Sequence, residues 1–207
     1  VADEIVQGKK NIYDSNSEYN ALDFFVKMKQ AKISTAIPVK VVAVYAGGIG
    51  TTGYVDVLPL VTYVDGQGHA VQPVTLYHLP YFRLQGGNVA VITDPIVGDI
   101  GVAIFMHYDS SNVVVGTTEP QPPASFRQHS LSDGYYIGGF LNKVPTCYLE
   151  LTQNQTAKVY APNGVSIVGD VTVEGKITAS GDVIGNGHSL SNHTHTAPHG
   201  ETSSANG

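Results

Sequence analysis

Cysteine, tryptophan and charge are all scarce in this 207-residue chain. Cys147 is the single cysteine, so no disulfide can form within one chain, and the fold must rest on packing, hydrogen bonds or other copies. Charged residues make up 14% of the sequence, low for a monomer and better suited to a chain that hides surface in an oligomer. Lys and Arg number 11 against 17 Asp and Glu, a net charge of −6 that argues against nucleic acid, whose phosphates call for clustered basic side chains. No apolar run approaches the roughly 18 residues of a membrane span, and the amino end lacks a signal-peptide pattern. Such a chain would cross a membrane only by force.

What is abundant is glycine, at 23 residues, with 11 prolines and 42% apolar residues. That mixture excludes wholesale disorder and favours short strands joined by many turns, in one or two small domains. Ser15 and Glu18 have capping-box spacing, and Tyr19, Leu22, Phe25 and Val26 then recur at helical intervals up to about Lys32. Pro38 closes that segment. From Val39 the period changes to that of strands: 39–45, 54–64, 71–76, 88–93 and 100–108, with 112–116 as a closing strand. About five strands in some seventy residues predict a small barrel of the OB type. Thr117-Thr118-Glu119-Pro120-Gln121-Pro122-Pro123 is stiff and unable to join a sheet, which places a domain boundary there.

Beyond that boundary, the chain leads through Tyr135, Tyr136, Ile137 and Phe140 into strands at 147–151 and 157–160. Glycine then recurs every six residues, at Gly169, Gly175, Gly181 and Gly187, around short β-prone runs. A fixed short period signals a β-helix, in which each repeat must stack on neighbours because it cannot bury its apolar face alone. Six residues are too few to close a turn within one chain. The repeat therefore reads as one face of an intertwined three-chain prism, with Val171, Ile177 and Val183 toward the axis and Asp170, Lys176 and Asp182 on the wet side. A β-meander or a flexible Gly-rich tail is the plainer alternative.

The chain ends in a histidine cluster, Asn192-His193-Thr194-His195, flanked by His188 and His199. In an extended strand His193 and His195 project from one face. Two imidazoles do not make a stable metal site, but three copies on a threefold axis would supply six nitrogens, the number an octahedral ion requires. His188 and His199 read as solvated tail histidines.

Other motifs are weaker. Gly47-Gly48-Ile49-Gly50-Thr51-Thr52-Gly53 lacks the P-loop Lys and a following helix, and reads as a strand connection. His129, Ser130 and Asp133 have the residue types of a hydrolase triad, but triads are assembled across a fold and adjacency says nothing. His69 and His78 lie near turns or strand ends, and His107, Tyr108 and Asp109 read as a polar strand end. The carboxylates are scattered, without an acid–base pair for glycosidic cleavage. Tyr135, Tyr136 and Phe140 suit core or interchain packing better than a carbohydrate platform. No catalytic residue is assigned, and the chain reads as a non-enzymatic protein.

Three segments resemble a known family. Thr93-Asp94-Pro95-Ile96-Val97-Gly98-Asp99 with the strand after it, Phe126-Arg127-Gln128-His129-Ser130-Leu131-Ser132-Asp133-Gly134, and the terminal Asn192-His193-Thr194-His195 occur in the order found in central baseplate spikes of contractile-tailed bacteriophages, including the phage Mu type. Together they span roughly 39–195. The resemblance implies a homotrimer in the virion, at the tip of the tail baseplate, attached to a baseplate hub protein and piercing the host outer membrane. It also implies one iron ion per trimer on the threefold axis, held by His193 and His195 of each chain, and it leaves open further ions in the shaft. The polar tail after the tip, 201–207, departs from the family's pattern. Chemistry agrees with iron: structural zinc takes four ligands and copper(II) a tetragonal field, whereas six equivalent imidazoles suit an octahedral ion such as Fe(II).

The expected architecture is therefore mainly β: an N-terminal helical segment (1–38), an OB-fold domain (39–116), a linker (117–134), an intertwined trimeric β-helix or β-prism shaft (135–187), and a metal-binding tip and tail (188–207). Two alternatives fit the same composition. One is a receptor-binding or polysaccharide-degrading trimeric tail spike, and the other is the spike of a bacterial contractile injection or secretion system.

Overall fold

A computed structural model describes residues 17–65, 67–194, 196–198 and 200–201. The chain is mainly β, and its described residues form one helix near the amino end and a curled antiparallel half-barrel sheet. It divides into two compact units, Val1–Val144 and Pro145–Gly207.

In the first unit, helix α1 spans Glu18–Gln30. Its N-cap is Ser17, whose side chain accepts from the Asn20 backbone N–H at 3.1 Å. The sequence pointed to Ser15, two residues earlier. Two hydroxyls on alternate positions offer similar caps, and the helical period favours the later one. None of the α1 residues is buried, so its apolar stripe, including Leu22 and Phe25, faces outward.

Nine strands follow: β1 (Ala36–Tyr45), β2 (Tyr54–Pro59), β3 (Tyr63–Val64), β4 (Ala70–Val71), β5 (Leu76–Pro80), β6 (Leu84–Gly86), β7 (Val89–Val91), β8 (Ile100–Phe105) and β9 (Gly134–Gly138). Five of them form the half-barrel in the order β5-β2-β1-β8-β9, and β3-β4 and β6-β7 are small hairpins beside it. Central β1 pairs antiparallel with both neighbours, Val41 opposite Val57 on one side and Val39 opposite Gly101 on the other. Alternation along the strands sends Val39, Val41, Val55, Val57, Leu79 and Ala103 into one core, which Leu76, Tyr81, Phe105 and Tyr136 complete.

The strand expected at 112–116 does not form, and the fifth strand is β9, which the sequence had assigned to the start of the shaft. Its pairing sets Ala103 opposite Tyr136 and Gly101 opposite Gly138. Gly101 is required there: a Cβ would lie 2.4 Å from the Ile137 carbonyl oxygen and 2.5 Å from the Tyr136 ring. The two edges of the sheet also approach one another, because Tyr81 and Tyr136 form a parallel bridge and the Phe82 N–H donates to the Tyr136 carbonyl at 2.8 Å.

The segment between β8 and β9 is tied down rather than loose. Arg127 reaches the carboxylates of Asp109 at 2.9 Å and Asp133 at 3.0 Å, both of them buried. The hydroxyls of Ser111 and Ser125, with the Arg127 guanidinium beside them, hold the Asp109 carboxyl far below the usual carboxylate range.

Candidate functional site

The second unit opens with a hairpin of β10 (Tyr148–Leu151) and β11 (Ala157–Tyr160). Directly opposed Tyr148 and Tyr160 stack at 5.3 Å, and Lys158 lies over both rings. The six-residue glycine period then acquires a conformational meaning. Gly169, Gly175 and Gly187 adopt φ of 128°, 142° and 79°, values that favour glycine, while Gly181 does not share them. Three of the four hexad glycines thus turn the chain where a side chain would be strained. Residues 161–183 belong to no strand of the single chain. Their apolar side chains are exposed, with Val171 at 63%, Ile177 at 71% and Val183 at 45%. Among the described residues, every member of the hydrophobic core lies in the first unit.

Near the carboxyl end lie two short strand pairs, β12 (Ile184–Gly185) with β13 (His188–Ser189) and β14 (Thr196–Ala197) with β15 (Gly200–Glu201). Asp182 accepts from the Ser191 backbone N–H at 3.2 Å and from its hydroxyl at 2.9 Å. The Ser189 hydroxyl first, and then Ser191, hold the Asp182 carboxyl below its usual range. The Leu190 N–H donates to the Val183 carbonyl, and the Asn192 N–H to the Ser189 hydroxyl, so the turn before the histidines is closed by its own polar groups. A cavity of about 560 Å³ lies along this turn, lined by Ile177, Val183, Leu190 and His193 among others.

His193 sits half-buried at the end of that turn. Its Nδ1 is 3.0 Å from the carbonyl oxygens of both Ser189 and Leu190. Carbonyl oxygens only accept, so the neutral ring carries its proton on Nδ1 and its lone pair on Nε2. A ligating histidine is usually oriented in this way, by donating its other nitrogen to the backbone. The donor set at His193 therefore fits a transition-metal ligand. His188 is exposed on β13, and His195 and His199 lie outside the described residues. Among the described residues of one chain, no three His, Cys, Asp or Glu side chains come together as a metal site.

In the first unit, the protein's own side chains occupy the other motifs. The Asp94 carboxylate accepts from the Gly48 N–H, from Tyr81 Oη at 2.7 Å and from Arg83 at 3.0 Å. An anion of the protein itself thus takes the loop N–H that a phosphate would use, and the Gly48 bond is the largest cause that holds Asp94 below its usual range. Asp133 binds Arg127, whereas His129 faces His107, so His129, Ser130 and Asp133 do not form a relay. His69 closes a turn with Asp65, and His78 stacks on Tyr45 at 4.8 Å while its N–H donates to Asp56. Tyr136 belongs to the core and Phe140 is exposed. Sequence reading missed the network of Asp182, Ser189 and Ser191. Its signal was a Ser-x-Ser pair at the end of the last glycine hexad. No family model matches this chain, and no curated protein matches it.

Proposed function

We propose that the chain is the subunit of a homotrimeric central spike of a contractile phage tail, which pierces the host outer membrane mechanically during contraction. The observation that carries this reading is that no described residue of the second unit belongs to a buried core in one chain. Its exposed valines and isoleucines, the absence of any strand over 161–183 and the repeated left-handed glycines are what a strand face needs if its partners are other copies. Full pairing between chains removes exposed edges and gives stiffness. Residues 161–187 are the shaft, and the Asp182–Ser191 turn leads into the pointed tip.

At that tip His193 and His195 of three chains would hold one iron ion on the axis. Bound there, the ion would join three chain ends where little apolar surface is available to hold them. The tautomer of His193 supports this role. The first unit is the wide base. Its strand order, with the edges β5 and β9 meeting in parallel, supports the finer reading of an OB-type barrel, and the outward stripe of α1 supports attachment to a baseplate hub.

Native mass spectrometry of the untagged protein tests both halves of the proposal. The expected species is a trimer with one additional mass near that of iron, lost on chelation. In the double variant His193→Ala, His195→Ala the metal should be absent and the barrel still folded. A metal-free monomer, or unchanged metal content in the double variant, would overturn the reading.

A further inference from the structure

The rings of His107 and His129 lie edge to face with centres 4.6 Å apart, and His107 Nδ1 is 2.7 Å from His129 Nε2. Two nitrogens at that distance share one proton. His129 has a left-handed backbone, φ 49°, which a histidine keeps only where its surroundings hold it. Its Nδ1 is buried without a hydrogen-bond partner. That atom selects the tautomer. A buried N–H without an acceptor is the costlier state, so the neutral His129 ring carries its proton on Nε2 and donates it to His107 Nδ1.

An added proton undoes this arrangement from either side. A protonated His129 carries N–H at both nitrogens, one of them buried with nothing to bond. A protonated His107 turns its own Nδ1 into a donor, which obliges His129 to move its proton to the same buried position. A second proton sets two like charges against each other. The pair is at its best only while both rings are neutral.

The two histidines stand at the base of the excursion 109–128. There Tyr108 and Gln128 form an antiparallel bridge, and the His129 N–H donates to the His107 carbonyl at 3.3 Å. Tyr108 also meets the His107 ring edge on at 4.3 Å. The neighbouring charged groups are Arg127, Asp109 and Asp133, whose bonds run to one another and to Ser111 and Ser125. Asp109 stays ionised well into acid, so its ion pair with Arg127 is not what an added proton first removes.

We propose that the His107–His129 pair is an acid-released latch: it clasps the strap 109–128 to the end of β8 while both rings are neutral, and the base of the strap loosens when either ring takes up a proton. Hydrogen exchange of the full-length protein at pH 7.5 and 5.5, corrected for the intrinsic pH dependence of exchange, tests it. Protection across 107–130 is expected to fall about tenfold or more in acid while β1 and β2 are unchanged. His107→Gln and His129→Asn should each remove the pH response, with protection of β1 and β2 at pH 7.5 serving as the folding control. Should neither variant fold, ring-nitrogen NMR of the wild type replaces them. The expected His129 tautomer has its proton on Nε2 at neutral pH and is lost in step with strap protection. Equal protection at both pH values, the same acid loss in both variants, uniform loosening that includes β1 and β2, or a neutral His129 protonated on Nδ1 would each overturn the latch.

Discussion

Replacing Val171, Ile177 and Val183 together by serine should abolish the proposed trimer and leave the half-barrel intact. These side chains are exposed at 63%, 71% and 45% in one chain. Complete burial of a valine or isoleucine is worth about 1.5–3 kcal/mol, so covering the remaining surface contributes roughly 1–1.5 kcal/mol at each position. That amounts to about 4 kcal/mol per chain and about 12 kcal/mol per trimer, or some nine orders of magnitude in the association constant. Serine is small enough to fit wherever these side chains fit, so the loss reports apolar burial rather than a clash. Light scattering after size exclusion, at micromolar protein, should change from trimer to monomer. Near-ultraviolet circular dichroism of the tyrosines should retain the signal of the folded first unit. A trimer that survives the triple substitution with unchanged dissociation would refute the assignment of these side chains to an interchain axis.

Two further perturbations address the first unit. The Tyr136 hydroxyl is buried without a partner, and burial, with the Asp99 charge adding to it, pushes the phenol up to about 12. Tyr136→Phe should therefore stabilise the half-barrel by about 1 kcal/mol in denaturant unfolding, and a loss of that size would show that the hydroxyl has a bond. The depressed Asp109 carboxyl acts on pH stability. Its folded-state affinity for a proton is lower than in the unfolded chain, so its contribution is fully present above the unfolded value of about 3.9 and is lost as pH falls below it. Thermal melts from pH 6 to 2.5 should show a steep acid decline that Asp109→Asn makes shallower, whereas an identical slope would remove Asp109 from the account.

Much of the first unit is legible in sequence because its cues are local. The apolar spacing from Tyr19 to Val26 predicts the helix, and alternation from Val39 to Tyr45 predicts the central strand; both form within two or three residues of the expected bounds. The fifth strand is not legible. Gly134–Gly138 has no local signal of its partner, which lies beyond a proline-rich segment, and the strand 100–108 is legible without any sign that the Tyr136 ring crosses it at Gly101. Arg127 and Asp133 likewise looked like parts of a linker because the partner carboxylate, Asp109, is distant in the chain. Near the carboxyl end, the histidine pair is visible in sequence, but the group that orients His193 is the backbone of Ser189 and Leu190, which no side-chain pattern encodes. The glycine period marks where the chain turns. It does not name a strand alongside, and in the proposed trimer pairing between copies would leave no partner segment within one sequence.

The place of β9 has a consequence for how the molecule is made. The sheet's middle strands are the first to emerge during synthesis, but the strand that covers the outer edge of β8 arrives only after the long detour through 106–133. Until then, β8 presents open backbone to any passing chain, and in the proposed trimer three such chains would have to meet. A head fragment cut at the proline-rich segment, where the sequence invites the cut, would keep that edge bare permanently. A fragment carried past Gly138 would have it covered before the apolar runs of 161–183 leave the ribosome, so each nascent chain could finish its own sheet before it engages its sisters.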